Sequence, residues 1–497
     1  VKTPPSRLAA FAAAGILAVA AALRLFRLDA FSYGLDEILQ TYWMTGSWHH
    51  FWESVRFDAV HPPLSYLLAR VVELLAPSDA ARKIPAVLFG VATVALFGAL
   101  MARRAGRRAG LLAGALLALA PFHVRFSQEL RPYPLALFTL CLALLLLDAY
   151  LARPNFGRLV GLYFAVVAAV YTLYLSQVVL AIAAGAMLWE DAFAENQARR
   201  QASRRFLGWS PLFAGTVFLA YLPWWPIQLE ALARPAVEAN PLTVARVDRI
   251  FSFFFFAARD GDPLGPAGLL YAAIVAAGVA VALRQPGTRF LVAWAVLGAA
   301  AIETLYRLHP HYDVSRIYLP AGIAFCALAA VALDRLARRG RVAVVAAGGL
   351  VALLLLFDAR SLGRYYREGR ADWRNLARFV AARPEGEWIF AESGYAQLCI
   401  AFYAQGPDWA YRRGPGMRNT QLVGNIWKLG GDLDRLKRSW KPGQKAWLVL
   451  SGVPKSDDLR KFAESFEYID FPEAEGSRLV VLDPARREQA FRGVTGR

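Results

Sequence analysis

Residues 61–76 read His61-Pro62-Pro63-Leu64-Ser65-Tyr66-Leu67-Leu68-Ala69-Arg70-Val71-Val72-Glu73-Leu74-Leu75-Ala76. Whether this stretch crosses a bilayer fixes the sidedness of everything after it. A spanning helix needs about 20 predominantly apolar residues. This one is shorter, and Arg70 and Glu73 interrupt it. Reading it as non-spanning leaves the N-terminus cytoplasmic and puts the later arginine groups inside. These are Arg103/Arg104/Arg107/Arg108, Arg153/Arg158, Arg199/Arg200/Arg204/Arg205, Arg284/Arg289 and Arg335/Arg338/Arg339/Arg341. Reading it as a span moves every group outside, against the positive-inside rule. Residues 62–76 are therefore expected to form an amphipathic helix at the outer membrane–water boundary.

Composition supports a polytopic membrane protein. Of 497 residues 57% are hydrophobic, and the mean hydropathy is positive. The net charge of +18 comes from clusters between apolar segments rather than one basic stripe, which argues against a nucleic-acid partner. The three cysteines, Cys141, Cys326 and Cys399, form no redox or metal spacing. The first apolar run, from Leu8, follows Lys2 and Arg7 and reads as a retained span rather than a cleaved signal.

The expected spans are 8–28, 83–102, 108–124, 132–151, 158–174, 175–190, 206–226, 266–284, 288–306, 316–334 and 341–358, about eleven in all. The weakest boundary is the hairpin 158–190, whose turn is expected at Tyr171-Thr172-Leu173-Tyr174. Arg24, Arg27 and the arginines of loop 227–265 run against the charge rule, although that loop also carries carboxylates. After Asp358 hydropathy falls. Residues 372–382 have helical spacing, and Trp388–Ala391, Ala446–Leu450 and Leu479–Leu482 read as short buried strands. The expected organisation is a membrane domain, 1–358, with a first outer loop 29–82, and a soluble outer α/β domain, 359–497. No internal repeat is evident.

Three outer loops then carry the chemistry-bearing residues. Asp36 and Glu37 follow the first span, with His49, His50, Glu53, Asp58 and His61 behind them. Ser127-Gln128-Glu129-Leu130-Arg131-Pro132-Tyr133 is the second group, and the third runs from His309 through His311 to Arg316 and Tyr318. All six histidines fall on the outer side. A carboxylate at a membrane surface can serve as a general base. Arginine keeps its charge and matches a phosphate with its planar fork. Arg131 and Arg316 each open a span, at the depth of a lipid-linked phosphate. Together these groups fit group transfer from a lipid phosphate.

Plainer readings stand beside this one. The acid pair could be a solvated loop start, the two arginines snorkelling anchors, and His-Pro-Pro a helix start. His309-x-His311 offers two ligands but no metal-site spacing.

Taken in order, Leu35-Asp36-Glu37, His61-Pro62-Pro63-Leu64-Ser65-Tyr66, Ser127–Tyr133 and Arg316-Ile317-Tyr318-Leu319-Pro320 resemble the bacterial glycosyltransferase family 39 branch of the GT-C superfamily. Protein O-mannosyltransferases and the aminoarabinose transferases of lipid A are its relatives. Asp372-Trp373-Arg374 also looks like the bacterial members. The resemblance implies a GT-C fold, juxtamembrane helices in the first outer loop, and inverting transfer of a sugar from a polyprenyl phosphate. It implies Asp36 as the catalytic carboxylate and Glu37 as its helper. His61, Glu129, Arg131, Tyr133, His311 and Arg316 would bind the sugar or the donor phosphate.

The implied partners are that lipid-linked donor, a glycan, lipid or protein acceptor, and the bilayer, in a bacterial inner membrane with the C-terminal domain extracytoplasmic. No cofactor is required, and a divalent metal has no support in the spacing. A histidine stands before Pro62-Pro63 where aminoarabinose transferases typically carry lysine, which weakens the lipid A reading. The rival from another class is a transporter or flippase of lipid-linked sugars. It would place charges near the bilayer midplane, on paired broken helices.

Overall fold

A computed structural model describes residues 7–234, 247, 250, 254, 265–308, 315–368, 373–382, 387–405, 422–423, 426–428, 433–450, 457–471 and 477–495. They fall into two compact units. The first comprises 1–28 and 55–365; the second comprises 29–54 and 366–497. A linear division at 358 therefore misses one feature of the chain. The stretch carrying Asp36 and Glu37 belongs with the C-terminal unit, not with the helices that flank it in sequence.

The first unit is helical. Eight of its helices are long and apolar enough to cross a membrane: Arg7–Leu25, Asp79–Arg104, Tyr133–Ala152, Tyr174–Ala192, Pro266–Arg284, Phe290–Leu308, Ser315–Ala337 and Arg341–Arg367. A ninth candidate is the pair Gln197–Tyr221 and Trp225–Leu232, bent by 82° at the break. The chain is thus a multi-pass membrane protein. Two further expected spans are helices of only 13 residues (Arg107–Leu119) and 15 residues (Phe156–Val170). The first is cut short because Pro121 starts a separate helix, Pro121–Phe126. Length alone therefore supports eight or nine spans among the described residues rather than eleven.

The stretch 62–76 forms a 12-residue helix, Leu64–Leu75, too short to span. The turn of the weak hairpin lies where expected, between helices ending at Val170 and starting at Tyr174. Most of loop 227–265 lies outside the described residues.

Local chemistry sets the helix ends. Ser78, Asn155 and Asn196 each cap a helix by accepting a backbone N–H three residues on. Small residues let backbones approach. A side chain at Gly278 would stand 2.1 Å from the Leu328 carbonyl oxygen, so helix Pro266–Arg284 can lie directly against helix Ser315–Ala337 only with glycine there. The latter is largely buried, and Arg7–Leu25 is largely exposed, as a lipid-facing outer helix would be.

One buried ion network ties several helix ends together. Arg104 donates to Asp191 at 2.9 Å, Arg199 pairs with both Asp148 and Asp191, and Arg103 pairs with Asp148. Glu190 accepts the Gly287 N–H at 2.7 Å. Some of the arginines read as topology markers are therefore also neutralised structural partners. Removing one member would leave an uncompensated buried charge, at a cost of about 3–5 kcal/mol.

The second unit contains a six-stranded mixed sheet, in the order β2-β3-β1-β4-β6-β5. Its strands are β1 (Trp388–Ala391), β2 (Leu422–Val423), β3 (Ile426–Lys428), β4 (Ala446–Leu450), β5 (Tyr468–Phe471) and β6 (Ser477–Leu482). β1 pairs in parallel with β3 and β4, whereas β6 runs antiparallel to β4 and β5. Phe390, Leu448, Leu450, Val480 and Leu482 form a core with Trp440, Phe462 and Phe491.

Candidate active site

In the first unit the site grows from the end of the loop before helix Leu64–Leu75. His61 is buried. Its Nε2 stands 3.1 Å from a guanidinium nitrogen of Arg131. Arginine can only donate, so Nε2 accepts and the ring proton is assigned to Nδ1. Burial, and then the charges of Arg131 and Arg316, hold the imidazole pKa well below its ordinary value. His61 is therefore neutral at pH 7, and its Nδ1–H is a buried donor without a partner among the described residues.

Tyr133 packs edge-on to the His61 ring at 6.2 Å, and the Arg131 guanidinium lies 6.0 Å from the tyrosine ring. Phe126 closes the other side of Tyr133 at 5.1 Å. Glu129 is buried and pairs with Arg125 at 3.4 Å. Arg316 sits in the tight first turn, Ser315–Tyr318, of its helix. Its charge, like that of Arg131, acts on the His61 imidazole. Tyr318, two residues on, is held by a hydrogen bond to Glu303.

Two residues that sequence reasoning left without a role complete the cluster. Asp58 accepts the Tyr66 hydroxyl hydrogen bond at 2.7 Å. Burial raises the Asp58 pKa despite the opposing pull of Tyr66 and Arg131. The Asp58 carbonyl accepts from Arg234 at 2.8 Å, and that of Ala59 from the Tyr174 hydroxyl at 3.2 Å. Ala59 itself adopts a positive φ of 47°, an uncommon backbone state for a side-chain-bearing residue. The chain into His61 is thus pinned from helix Tyr174–Ala192 and from Arg234. The signals in the sequence were that Asp58 lies among the polar residues of the first outer loop and that Tyr66 belongs to the His61–Tyr66 motif.

Beneath this cluster Arg24 is fully buried. It donates to the carbonyls of Ala20 (2.9 Å) and Ala118 (3.0 Å), lies 3.2 Å from the Ser127 hydroxyl, and stands 2.6 Å from Nδ1 of His123. Gln128 donates to the carbonyls of Arg24 and Phe26 at 3.0 and 2.9 Å and accepts from Tyr365 at 3.0 Å. The loop that presents Arg131 is therefore bolted to the first helix. Arg24, a conflict for the charge rule, serves here as a structural centre.

In the second unit Asp36 and Glu37 occupy the first turn of helix Leu35–Met44, where the helix dipole favours negative charge. Their environments differ. Glu37 is buried and reaches back to accept the Gly34 N–H at 3.1 Å, so it caps its own helix. Asp36 is half-buried. The segment before them is pinned by elements far away in sequence. Trp373 N–H donates to the Ser32 hydroxyl at 3.0 Å, Tyr33 N–H to the Tyr403 hydroxyl at 2.6 Å, and Arg374 to the Asp29 carbonyl at 2.9 Å. His309 and His311 lie outside the described residues, as does Asp372. Among the described residues no group of three or more His, Cys, Asp and Glu side chains is placed to hold a metal.

Residues 60–224 match the family described as dolichyl-phosphate-mannose-protein mannosyltransferase. That segment contains His61, Glu129, Arg131 and Tyr133 but not Asp36, Glu37 or Arg316. Among solved structures the chain is similar to ArnT from Cupriavidus metallidurans bound to undecaprenyl phosphate. The identity is 14%, the TM-score 0.53, and 94% of this chain and 97% of that one are covered. The apo state of the same protein matches at 14% identity and a TM-score of 0.55, covering 95% and 97%. No curated protein matches by sequence. The resemblance read from the four motifs is thus borne out: the chain has the fold of a GT-C superfamily glycosyltransferase.

Proposed function

We propose that this GT-C-fold chain is an inverting glycosyltransferase of the bacterial inner membrane, moving a sugar from a polyprenyl phosphate to an acceptor on the extracytoplasmic side. The observation that carries the reading is His61, hydrogen-bonded to Arg131 and held neutral by burial and by the charges of Arg131 and Arg316, with its Nδ1–H unspent among the described residues. Two fixed cations and one neutral donor suit a phosphate whose charge grows as it leaves. Donors fixed in a site of low dielectric stabilise such charge far better than water-exposed ones. The fold match to a protein bound to undecaprenyl phosphate supports the same ligand class here.

In this mechanism Arg131 and Arg316 bind the donor phosphate and His61 donates to one of its oxygens. Tyr133 and Glu129 shape the sugar site, as His311 does in the reading from sequence. Asp36 takes the proton from the acceptor as its nucleophilic atom attacks the anomeric carbon. The carbon–oxygen bond to phosphate breaks, and the polyprenyl phosphate departs with the electron pair. Glu37 fixes the helix start that presents Asp36. Two arginines supply the positive charge that a metal provides in other transferases, so the reaction requires no divalent ion. The C-terminal unit is extracytoplasmic in this reading.

The test is donor binding to the purified chain. Arg131→Ala and Arg316→Ala should each weaken binding of a polyprenyl phosphate by about tenfold or more, the scale of a lost charge-assisted contact. Unchanged binding by both would remove the phosphate role.

A further inference from the structure

At the end of the first unit where the arginine groups collect, a cavity of about 540 Å³ opens beside helix Gln197–Tyr221. Its lining includes Tyr150 from the last turn of helix Tyr133–Ala152, Pro154 just beyond it, and Gln201, Arg205, Gly208 and Trp209. This is the scale of a small-ligand site, and nothing in the transfer reaction uses it. Its two sides differ in chemistry. Gln201 and Arg205 form an exposed polar rim. Tyr150 and Trp209 form an aromatic wall, their rings 6.4 Å apart and edge-on. Gly208 lines the same groove, with open space where a side chain would project.

Charge decides what such a groove takes. Three carboxylates at this end are engaged elsewhere: Asp148 and Asp191 by Arg103, Arg104 and Arg199, and Glu190 by Arg104 and the backbone around Gly287, while Glu195 is exposed in the turn before the helix and does not line the groove. Arg204 donates to the Ala192 carbonyl. Among the described residues Arg205 has no ion pair or side-chain hydrogen bond. An uncompensated guanidinium above an aromatic, membrane-depth wall complements a molecule with an anionic head and an apolar tail. Tryptophan and tyrosine are the side chains that favour the interface where such a molecule sits.

We propose that this groove binds an anionic glycerophospholipid of the surrounding bilayer. Its headgroup phosphate sits on Arg205 and Gln201, and one acyl chain runs past Gly208 along Trp209 and Tyr150. Positive-inside topology assigns the groove to the cytoplasmic leaflet, on the far side from the transfer site.

The full chain in detergent is titrated with brominated phosphatidylglycerol and, separately, with brominated phosphatidylcholine, and tryptophan quenching is followed. The Trp209 contribution is the part lost in Trp209→Phe. Wild type should be quenched through Trp209 at about fivefold lower phosphatidylglycerol than phosphatidylcholine, the preference expected from one interfacial arginine. Arg205→Gln should abolish that preference and Arg205→Lys should keep it. Equal quenching by both lipids in wild type would overturn the proposal, as would a preference that survives in Arg205→Gln. Loss of the preference in millimolar inorganic phosphate would mean a free-anion site. Displacement by an equal concentration of polyprenyl phosphate would mean a second donor site, and either result would contradict it.

Discussion

Arg131 donates a hydrogen bond to Nε2 of His61 across 3.1 Å, which fixes the imidazole tautomer and leaves Nδ1–H a buried donor without a partner among the described residues. A lysine in that position would add a third positive charge to those of Arg131 and Arg316. This chain instead has a neutral imidazole under the charges of two guanidinium groups. The first prediction follows from that chemistry. His61→Gln keeps an acceptor for Arg131 and a donor for the ligand, so it should retain donor affinity within a few-fold. His61→Ala should weaken it by about tenfold, one hydrogen bond to a charged group. Equal loss in both variants, read as KM for the lipid donor, would contradict the donor role.

The same histidine sets a pH dependence. Its pKa is depressed in the folded protein, so the unfolded chain binds the extra proton first. The stability contributed by keeping it neutral is complete above the unfolded value of about 6.5 and is lost as pH falls below it. Thermal stability in detergent should decline between about pH 7 and pH 5, and His61→Gln should flatten the decline. An identical slope in the variant would remove His61 as its cause.

Glu37 and Asp36 should separate cleanly. The Glu37 carboxylate accepts from Gly34 N–H, a capping contact that glutamine also makes. Glu37→Gln should therefore keep substantial transfer, while Glu37→Ala should lower stability by about 1 kcal/mol. Thermal melts and transfer rates of the two variants check this. Abolished transfer in Glu37→Gln at wild-type stability would instead make Glu37 chemically essential.

Tyr403 should act at a distance in sequence on the acid pair. Tyr403→Phe removes the acceptor of the Tyr33 N–H three residues before Asp36. The expected effect is a several-fold fall in kcat with the KM for the lipid donor unchanged, because Arg131 and Arg316, the residues proposed to bind its phosphate, belong to the other unit. A change confined to that KM would contradict the assignment.

The parts of this molecule that were legible in the sequence are those set by local rules. Apolar length gave the long helices, and the interruption at Arg70 and Glu73 marked 62–76 as too short to span. Short continuous apolar runs marked β1, β4 and the end of β6 as buried strands. The motif Glu129–Tyr133 was recognisable because its residue types carry the phosphate chemistry. What stayed hidden depends on long-range partners. Arg24 looked like a topology conflict because its acceptors, Ala118, Ser127 and His123, lie about a hundred positions away. The capping contact of Glu37 to Gly34 is local, but a carboxylate three residues after a glycine does not announce it in sequence. The grouping of 29–54 with 366–497 rests on contacts such as Ser32 with Trp373, which no periodicity reveals. Pro121 shortened a helix that hydropathy alone carried through to 124.

The central claim is that Asp36 is the base in transfer of a sugar from a polyprenyl phosphate, and one comparison tests it most directly. Glycolipids and glycoproteins are profiled by mass spectrometry in a strain lacking the gene, complemented with wild type or with Asp36→Asn produced to the same level. The account predicts a glycan that disappears in the deletion, returns with wild type and stays absent with Asp36→Asn. Restoration by Asp36→Asn, or no glycan change on deletion, would contradict it.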